Sequence, residues 1–185
     1  MIIPGSLMSL SFLLANKERN KNQKAREIKL EFLKIDNLQR VGDEFLYRNN
    51  CLETFNAPKL KDVGNFFLHY NKCLKNLNTP NLIIVGDAFL SRNEDIEDLN
   101  LPNLKVVGTS FLSEASNLKE VYVPRLESVG EYFLFNTRLK HLNIPRLKKI
   151  DKFFMYNNIG LNLYVPRLND QERSKLQSWF KIVDE

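Results

Sequence analysis

The chain has 185 residues, 43% of them hydrophobic and 26% charged, with a formal net charge of +5. That length suits one domain or one elongated array rather than two independent domains, and the apolar fraction is too high for a disordered chain. The modest positive charge permits an acidic partner without requiring one, and no run of 18 apolar residues offers a membrane-crossing helix. Residues 1–29 come first. The opening MIIPGSLMSLSFLLA is apolar enough for a secretory h-region, but it lacks a basic start and Pro4-Gly5 interrupts it. A cap or flanking segment over the first repeat is therefore expected. Residues 17–26 are strongly polar and read as a solvated helix or loop.

From residue 30 to 168 the chain repeats itself. Prolines fall at Pro58, Pro80, Pro102 and Pro124, each 22 positions apart, and then at Pro145 and Pro166, each 21 apart. Gly42, Gly64, Gly86, Gly108 and Gly130 keep the same period, and Phe45, Phe67, Phe89, Phe111, Phe133 and Phe154 follow three residues after each glycine site, the last of which is Asp151. One unit reads Leu-x-x-Leu-x-x-Pro-x-Leu-x-x-Val-Gly-x-x-Phe-Leu-x-x-Asn-x-x, and residues 74–95 fit every named place. A fixed period of this length is the signature of a solenoid. The first unit, from Leu30, lacks the proline; five fuller units start at Leu52, Leu74, Ile96, Leu118 and Leu139, and a truncated last one carries Leu163, Val165, Pro166 and Leu168.

Each part of the unit has a physical role. Val121 and Val123 sit two apart, which is strand alternation with one face inward. Pro124 and its counterparts lack an N–H and end the pairing at the same place in every turn. The glycines are expected to allow a tight bend with unusual backbone angles, after which Phe-Leu re-enters the interior through a short helical or irregular segment. Asn49, Asn71, Asn93 and Asn158 recur at one place, where a buried amide can satisfy turn backbone. A single unit buries about seven apolar side chains at roughly 1.5–3 kcal/mol each, against roughly 1–2 kcal/mol of backbone ordering for every residue, so only stacked neighbours make it stable.

After Leu168 the pattern changes. Asn169 is placed to cap a helix and Glu172 to reach back and complete a capping box; Leu176, Trp179, Phe180 and Val183 follow at helical spacing. Residues 169–185 are thus expected to form a capping helix, with Trp179 in the cap's core.

The outward strand positions define the first candidate surface. They include Asn56, Asn78, Asn100, Tyr122, Asn143 and Tyr164, beside Thr54, Asn76, Asp98, Glu120, His141 and Asn162, at inter-strand spacings of roughly 4.8 Å. The asparagines can form a structural ladder along the array or serve recognition; exposed tyrosines favour an interface. Just beyond the strands, Arg125, Arg146 and Arg167 occupy equivalent places in three consecutive units and make a basic edge that suits phosphates, a carboxylate-rich protein, or simple solubility. Metal and catalytic sets are not visible. His69, His141, Cys51 and Cys73 are the whole complement of their types, with no Cys-x-x-Cys, no phosphate loop and no nucleophile elbow. Cys51 and Cys73 share one place in adjacent units, about 5 Å apart in backbone, so a disulfide is geometrically open although free thiols are expected.

The unit resembles the leucine-rich repeat superfamily, and most closely its BspA-like (Treponema pallidum type) class: Val63-Gly64, Phe67-Leu68 and Asn71 stand where that class has Ile-Gly, Ala-Phe and Cys. The resemblance covers about three quarters of the chain and implies an α/β solenoid with a parallel sheet on the concave face and short turns on the convex face. It also implies a binding module without cofactor or catalytic residues. The expected function is non-enzymatic macromolecule binding, most readily of a protein, as an adaptor or inhibitor; a viral or mobile-element inhibitor of a larger protein or nucleoprotein machine is one version. The alternatives are nucleic-acid binding through the basic edge, or a surface adhesin fragment. A cytoplasmic setting is expected, a secreted or cell-surface one being the alternative; oligomeric state is unread.

Overall fold

The computed structural model describes residues 2–3, 31–158, 160–176 and 180–183. It is a parallel solenoid whose turns stack in register. One column of strands comprises β2 (Phe32–Lys34), β4 (Thr54–Asn56), β6 (Asn76–Asn78), β8 (Asp98–Asn100), β10 (Glu120–Tyr122), β11 (His141–Asn143) and β12 (Asn162–Tyr164). Register follows the sequence period: Thr54 lies opposite Asn76, and Leu142 opposite Leu163. This front column is divided into three hydrogen-bonded groups, β2-β4-β6, β8-β10 and β11-β12 with a further strand β13 (Lys181–Ile182).

A second column was not foreseen. The residues before each glycine form two-residue parallel strands, β3 (Arg40–Val41), β5 (Asp62–Val63), β7 (Ile84–Val85) and β9 (Val106–Val107), and Ile2–Ile3 add β1 at the end beside β3. Such short strands leave no alternation to recognise. The column is unbroken from β1 to β9, and Ser128 extends it by a bridge to Val106.

The glycines differ from expectation. None of Gly42, Gly64, Gly86, Gly108 and Gly130 has a positive φ; instead, three residues after each of these sites do, as at Ala88, Leu90 and Arg92 with φ of 54°, 51° and 60°. The glycines are needed for close approach: a Cβ on Gly108 would lie 2.7 Å from the Asp87 backbone nitrogen and 2.4 Å from its Oδ1. Those carboxylate and amide oxygens form a ladder in which Asn65 N donates to Asp43 Oδ1 at 2.7 Å, Asp87 N to Asn65 Oδ1 at 2.8 Å and Thr109 N to Asp87 Oδ1 at 2.7 Å.

The left-handed residues build a third column of bonds between turns. Ala88 N donates forward to Thr109 O at 2.7 Å, Leu90 N backward to Phe67 O at 3.1 Å, and Arg92 N forward to Ser113 O at 2.8 Å. Left-handed backbone costs a non-glycine residue roughly 1–2 kcal/mol, so these hydrogen bonds and the burial of the alternate side chains are what hold it. The return segments are therefore irregular, and α1 (Asp170–Leu176) is the single helix among the described residues.

Inside, the six phenylalanines stack continuously, with centroids 6.0, 5.6, 5.4, 5.5 and 5.4 Å apart and planes within 12°. They belong to one core with the leucine and valine rows. Beside them run the buried amides. Asn93 Nδ2 donates to Leu68 O at 2.8 Å and Ser91 O at 3.3 Å, and Asn71 and Asn158 repeat the arrangement toward Leu46 O and Leu134 O. Ala115 and Thr137 hold the same place in the intervening turns. Asn93→Ala is expected to cost about 1–3 kcal/mol in denaturant unfolding, because it orphans Leu68 O, whereas Ala115→Asn is expected to be tolerated.

The C-terminal cap is a helix followed by a strand rather than a helix throughout. Asn169 Oδ1 caps α1 by accepting from Glu172 N at 2.9 Å, but the Glu172 carboxylate does not close a capping box. It turns inward and accepts from Ile150 N at 3.3 Å and Lys175 Nζ at 2.7 Å. The Lys175 hydrogen bond holds that carboxyl below its ordinary range. The chain then returns as β13, Lys181 lying opposite Asn162, so Phe180 is buried while Val183 is exposed. Most of residues 1–29, and Trp179, lie outside the described residues.

Candidate functional site

The front column brings the sequence-predicted row together. Asn56, Asn78, Asn100, Tyr122, Asn143 and Tyr164 are each the last residue of a strand, and register sets Asn56 opposite Asn78, Asn100 opposite Tyr122, and Asn143 opposite Tyr164. Their side chains point out because the intervening residue, such as Phe55 or Leu99, points in. The ladder reading holds over part of the row: Asn78 Nδ2 donates to Asn56 Oδ1 at 3.1 Å, and Asn76 Nδ2 to Thr54 Oγ1 at 3.4 Å. Tyr122 is 57% exposed.

Where β6 and β8 are not paired, the face opens into a polar depression of about 790 Å³ lined by Asn76, Asn78, Asp98 and Asn100, with Asp95, Glu97 and Lys75 at its margins. Thr79, immediately after β6, is buried with no partner for its hydroxyl. Glu97 is held by Lys119 at 2.6 Å and Lys75 by Glu53 at 3.2 Å, which leaves Asp95 and Asp98, with no ion pair among the described residues, to make this part of the face acidic.

The basic edge begins one step along. Arg125, Arg146 and Arg167 are all exposed, at the place held earlier by Lys59, Asn81 and Asn103. Arg125 donates to Asn103 Oδ1 at 2.8 Å. Among the described residues, no carboxylate forms an ion pair with Arg146 or Arg167, whereas Lys148 is held by Glu127 at 2.6 Å. The outward face is thus acidic over its middle turns and basic toward its C-terminal end.

Sequence reasoning missed a second surface, on the return segments. Tyr47 stacks on His69 with centroids 5.5 Å apart, Tyr70 meets His69 edge-on at 4.7 Å, and the Arg48 and Arg92 guanidiniums lie over the Tyr70 ring at 5.3 and 5.0 Å. Arg92 also donates to the Tyr70 hydroxyl and pairs with Glu114 at 3.2 Å. Three turns on, Tyr132 stacks on Phe153 and Phe135 on Tyr156. The signal was present in part, as Tyr47, Phe66 with His69, Tyr132 with Phe135 and Phe153 with Tyr156 two or five places after their glycine sites, the turns after Gly86 and Gly108 carrying none, but their outward direction depends on the left-handed backbone.

His69 is not placed for acid–base catalysis at neutral pH. Burial first, then Arg92 and Arg48, lower its pKa to about 4, and its Nδ1 has no partner. The folded ring is neutral where the unfolded one begins to charge near pH 6.5. Between about pH 6.5 and 4 the unfolded chain binds the extra proton, so stability is expected to fall as pH drops through that window and the slope to flatten below it. His69→Gln should reduce that slope in pH-dependent denaturant unfolding.

Among the described residues, no three His, Cys, Asp or Glu side chains gather as a metal site, and no helix is long and apolar enough to cross a membrane. Cys51 and Cys73 are free, half-buried thiols.

The stacked turns, the phenylalanine column and the asparagine place agree with a comparison by family: the BspA type leucine rich repeat region matches residues 27–162 in 6 copies. The chain belongs to the BspA-type leucine-rich repeat family. No curated protein and no solved structure matches it. BspA-type repeats, like leucine-rich repeats generally, are binding scaffolds, most often for proteins. The family match ends before α1, so the cap and Phe180 are features of this chain beyond the matched repeats.

Proposed function

We propose that this protein is a non-enzymatic adaptor or inhibitor that binds another protein through its front face and arginine edge. The observation that carries this reading is the charge division of one surface: an acidic, amide-lined depression between β6 and β8, and, a few turns away, exposed Arg146 and Arg167, which form no ion pair among the described residues. A folded partner can present both signs in the matching order. A polyanion cannot, because Asp95 and Asp98 would repel its phosphates, which sets nucleic acid second. Exposed Tyr122, between the two regions, is the expected anchor. Free Cys51 and Cys73, one turn apart, suit a reducing, cytoplasmic compartment.

The test combines Tyr122→Ala with Arg125→Glu, Arg146→Glu and Arg167→Glu, all at exposed positions, in affinity capture from the source cell's lysate. The proposal expects a protein captured by the unaltered chain to be lost at least tenfold by the variant, with melting temperature unchanged. Undiminished capture places the interface elsewhere. Capture that depends steeply on salt and disappears with nuclease favours the nucleic-acid reading.

A further inference from the structure

The break between β6 and β8 changes what the front face offers. At the junctions on either side, Ala57 N donates to Asn78 O at 3.0 Å and Leu101 N to Tyr122 O at 3.0 Å, but no bond from Thr79 N to Asn100 O joins β6 to β8. Leu77 is consequently only half-buried, whereas its counterparts Phe55 and Leu99 are buried. The polar side chains around it differ in what they leave free. Asn76 and Asn78 use their amide nitrogens on Thr54 and Asn56 of the preceding turn, which turns their oxygens toward the slit. Lys75 is tied to Glu53 and Lys119 to Glu97, so neither ammonium fills the depression, although Lys119 also feels the charge of Asp98. The Asp95 and Asp98 carboxylates have no hydrogen bond or ion pair among the described residues.

We propose that this depression is a socket for an arginine side chain of the partner protein, an assignment that rests on the protein-binding reading for the source of the guanidinium. The walls are rich in oxygen acceptors and poor in free donors. To the Asp95 and Asp98 carboxylates and the Asn76 and Asn78 amide oxygens are added the Lys75 and Asn100 carbonyls, which the break leaves without their usual inter-turn donors, Glu97 N and Thr79 N. A guanidinium, with its positive charge, its N–H donors on every nitrogen and no acceptor, is the complement of that set. Arginine suits the site better than lysine because the acceptors stand on two walls, one from each strand. A planar fork reaches both, and its weakly hydrated flat face lies on Leu77. At about 790 Å³ the depression also admits the loop that carries the residue. Tyr122, opposite Asn100 in the next turn, extends the contact beyond the socket.

The test titrates N-acetyl-Gly-Arg-Gly-amide into the full chain and follows the backbone amide NMR shifts, with the matching citrulline and lysine peptides and calcium chloride alone as comparisons. The arginine peptide is expected to shift residues 75–79 and 95–100 and to bind about tenfold tighter than the citrulline peptide, which keeps the shape and loses the charge. The lysine peptide should fall between them. Asp95→Asn with Asp98→Asn changes two exposed residues, so melting temperature should hold while the arginine peptide weakens about fivefold or more. Equal binding of the arginine and citrulline peptides, shifts confined to other residues, or undiminished binding in the double variant overturns the proposal. So does calcium binding at the same residues more tightly than the peptide, which would make the depression a metal site. Peptide binding with no protein captured from lysate would keep the socket and overturn the protein-binding reading. Capture that survives Asp95→Asn with Asp98→Asn, yet is lost in the Tyr122 and arginine-edge variant, would do the reverse.

Discussion

Phe89→Ala is expected to lower unfolding stability by about 3–5 kcal/mol, one of the two largest effects a single side chain should have in this protein. Phe89 is fully buried and stacked on Phe67 at 5.6 Å and on Phe111 at 5.4 Å. Its removal takes away both stacking partners and leaves a ring-sized hole that the left-handed residues on either side, Ala88 and Leu90, cannot close without breaking their bonds to the neighbouring turns. In a solenoid each turn touches only the next, so a defect in the middle also uncouples the two halves. Denaturant unfolding of Phe89→Ala should therefore lose cooperativity as well as stability. Phe45→Ala, at the first turn, should shift the midpoint less and leave the transition sharp. A loss below about 1 kcal/mol at Phe89 would show that the column is not the continuous core described here.

Gly108→Ala is expected to be comparably damaging, by about 3 kcal/mol or more, although its backbone angles suit alanine. The added methyl would meet the Asp87 nitrogen at 2.7 Å and the Gly86 carbonyl carbon at 2.7 Å, and backbone held by hydrogen bonds on both sides has nowhere to move. Ala88→Gly supplies the contrast. Ala88 has φ of 54°, where glycine is at ease, so this substitution should change stability by less than about 1 kcal/mol. Thermal unfolding of the two variants side by side separates the two roles of glycine; equal destabilisation would refute the assignment.

The repeat was legible in the sequence because its landmarks are chemical and periodic. Proline, phenylalanine and the buried asparagine fixed the number of turns, the front strands and the register, and the inward positions of Phe55 and Leu99 fixed which residues face out. What escaped was set by contacts between turns. Nothing local in Leu90 or Phe66 favours φ of 51° or 56°; the neighbouring turn's carbonyl imposes it. The glycine signal was real, but its cause was crowding across 22 residues rather than the angle of its own turn. Glu172 sits where a capping box predicts it, yet a buried amide at Ile150 competes for its carboxylate and wins. For the site, the sequence placed Asn78, Asn100, Tyr122 and the three arginines on one face. It did not reveal the depression between β6 and β8, because a missing strand pairing leaves no mark in composition.

That missing pairing has a mechanical consequence. The β3-to-β9 column runs without interruption past the place where β6 and β8 part, whereas at the β10–β11 junction the rear column has itself ended, at its bridge to Ser128. A rod zipped along its spine and slit at one place down its belly bends most easily by gaping at the slit. The front face can therefore splay between β6 and β8 while the phenylalanine column behind it keeps its spacing.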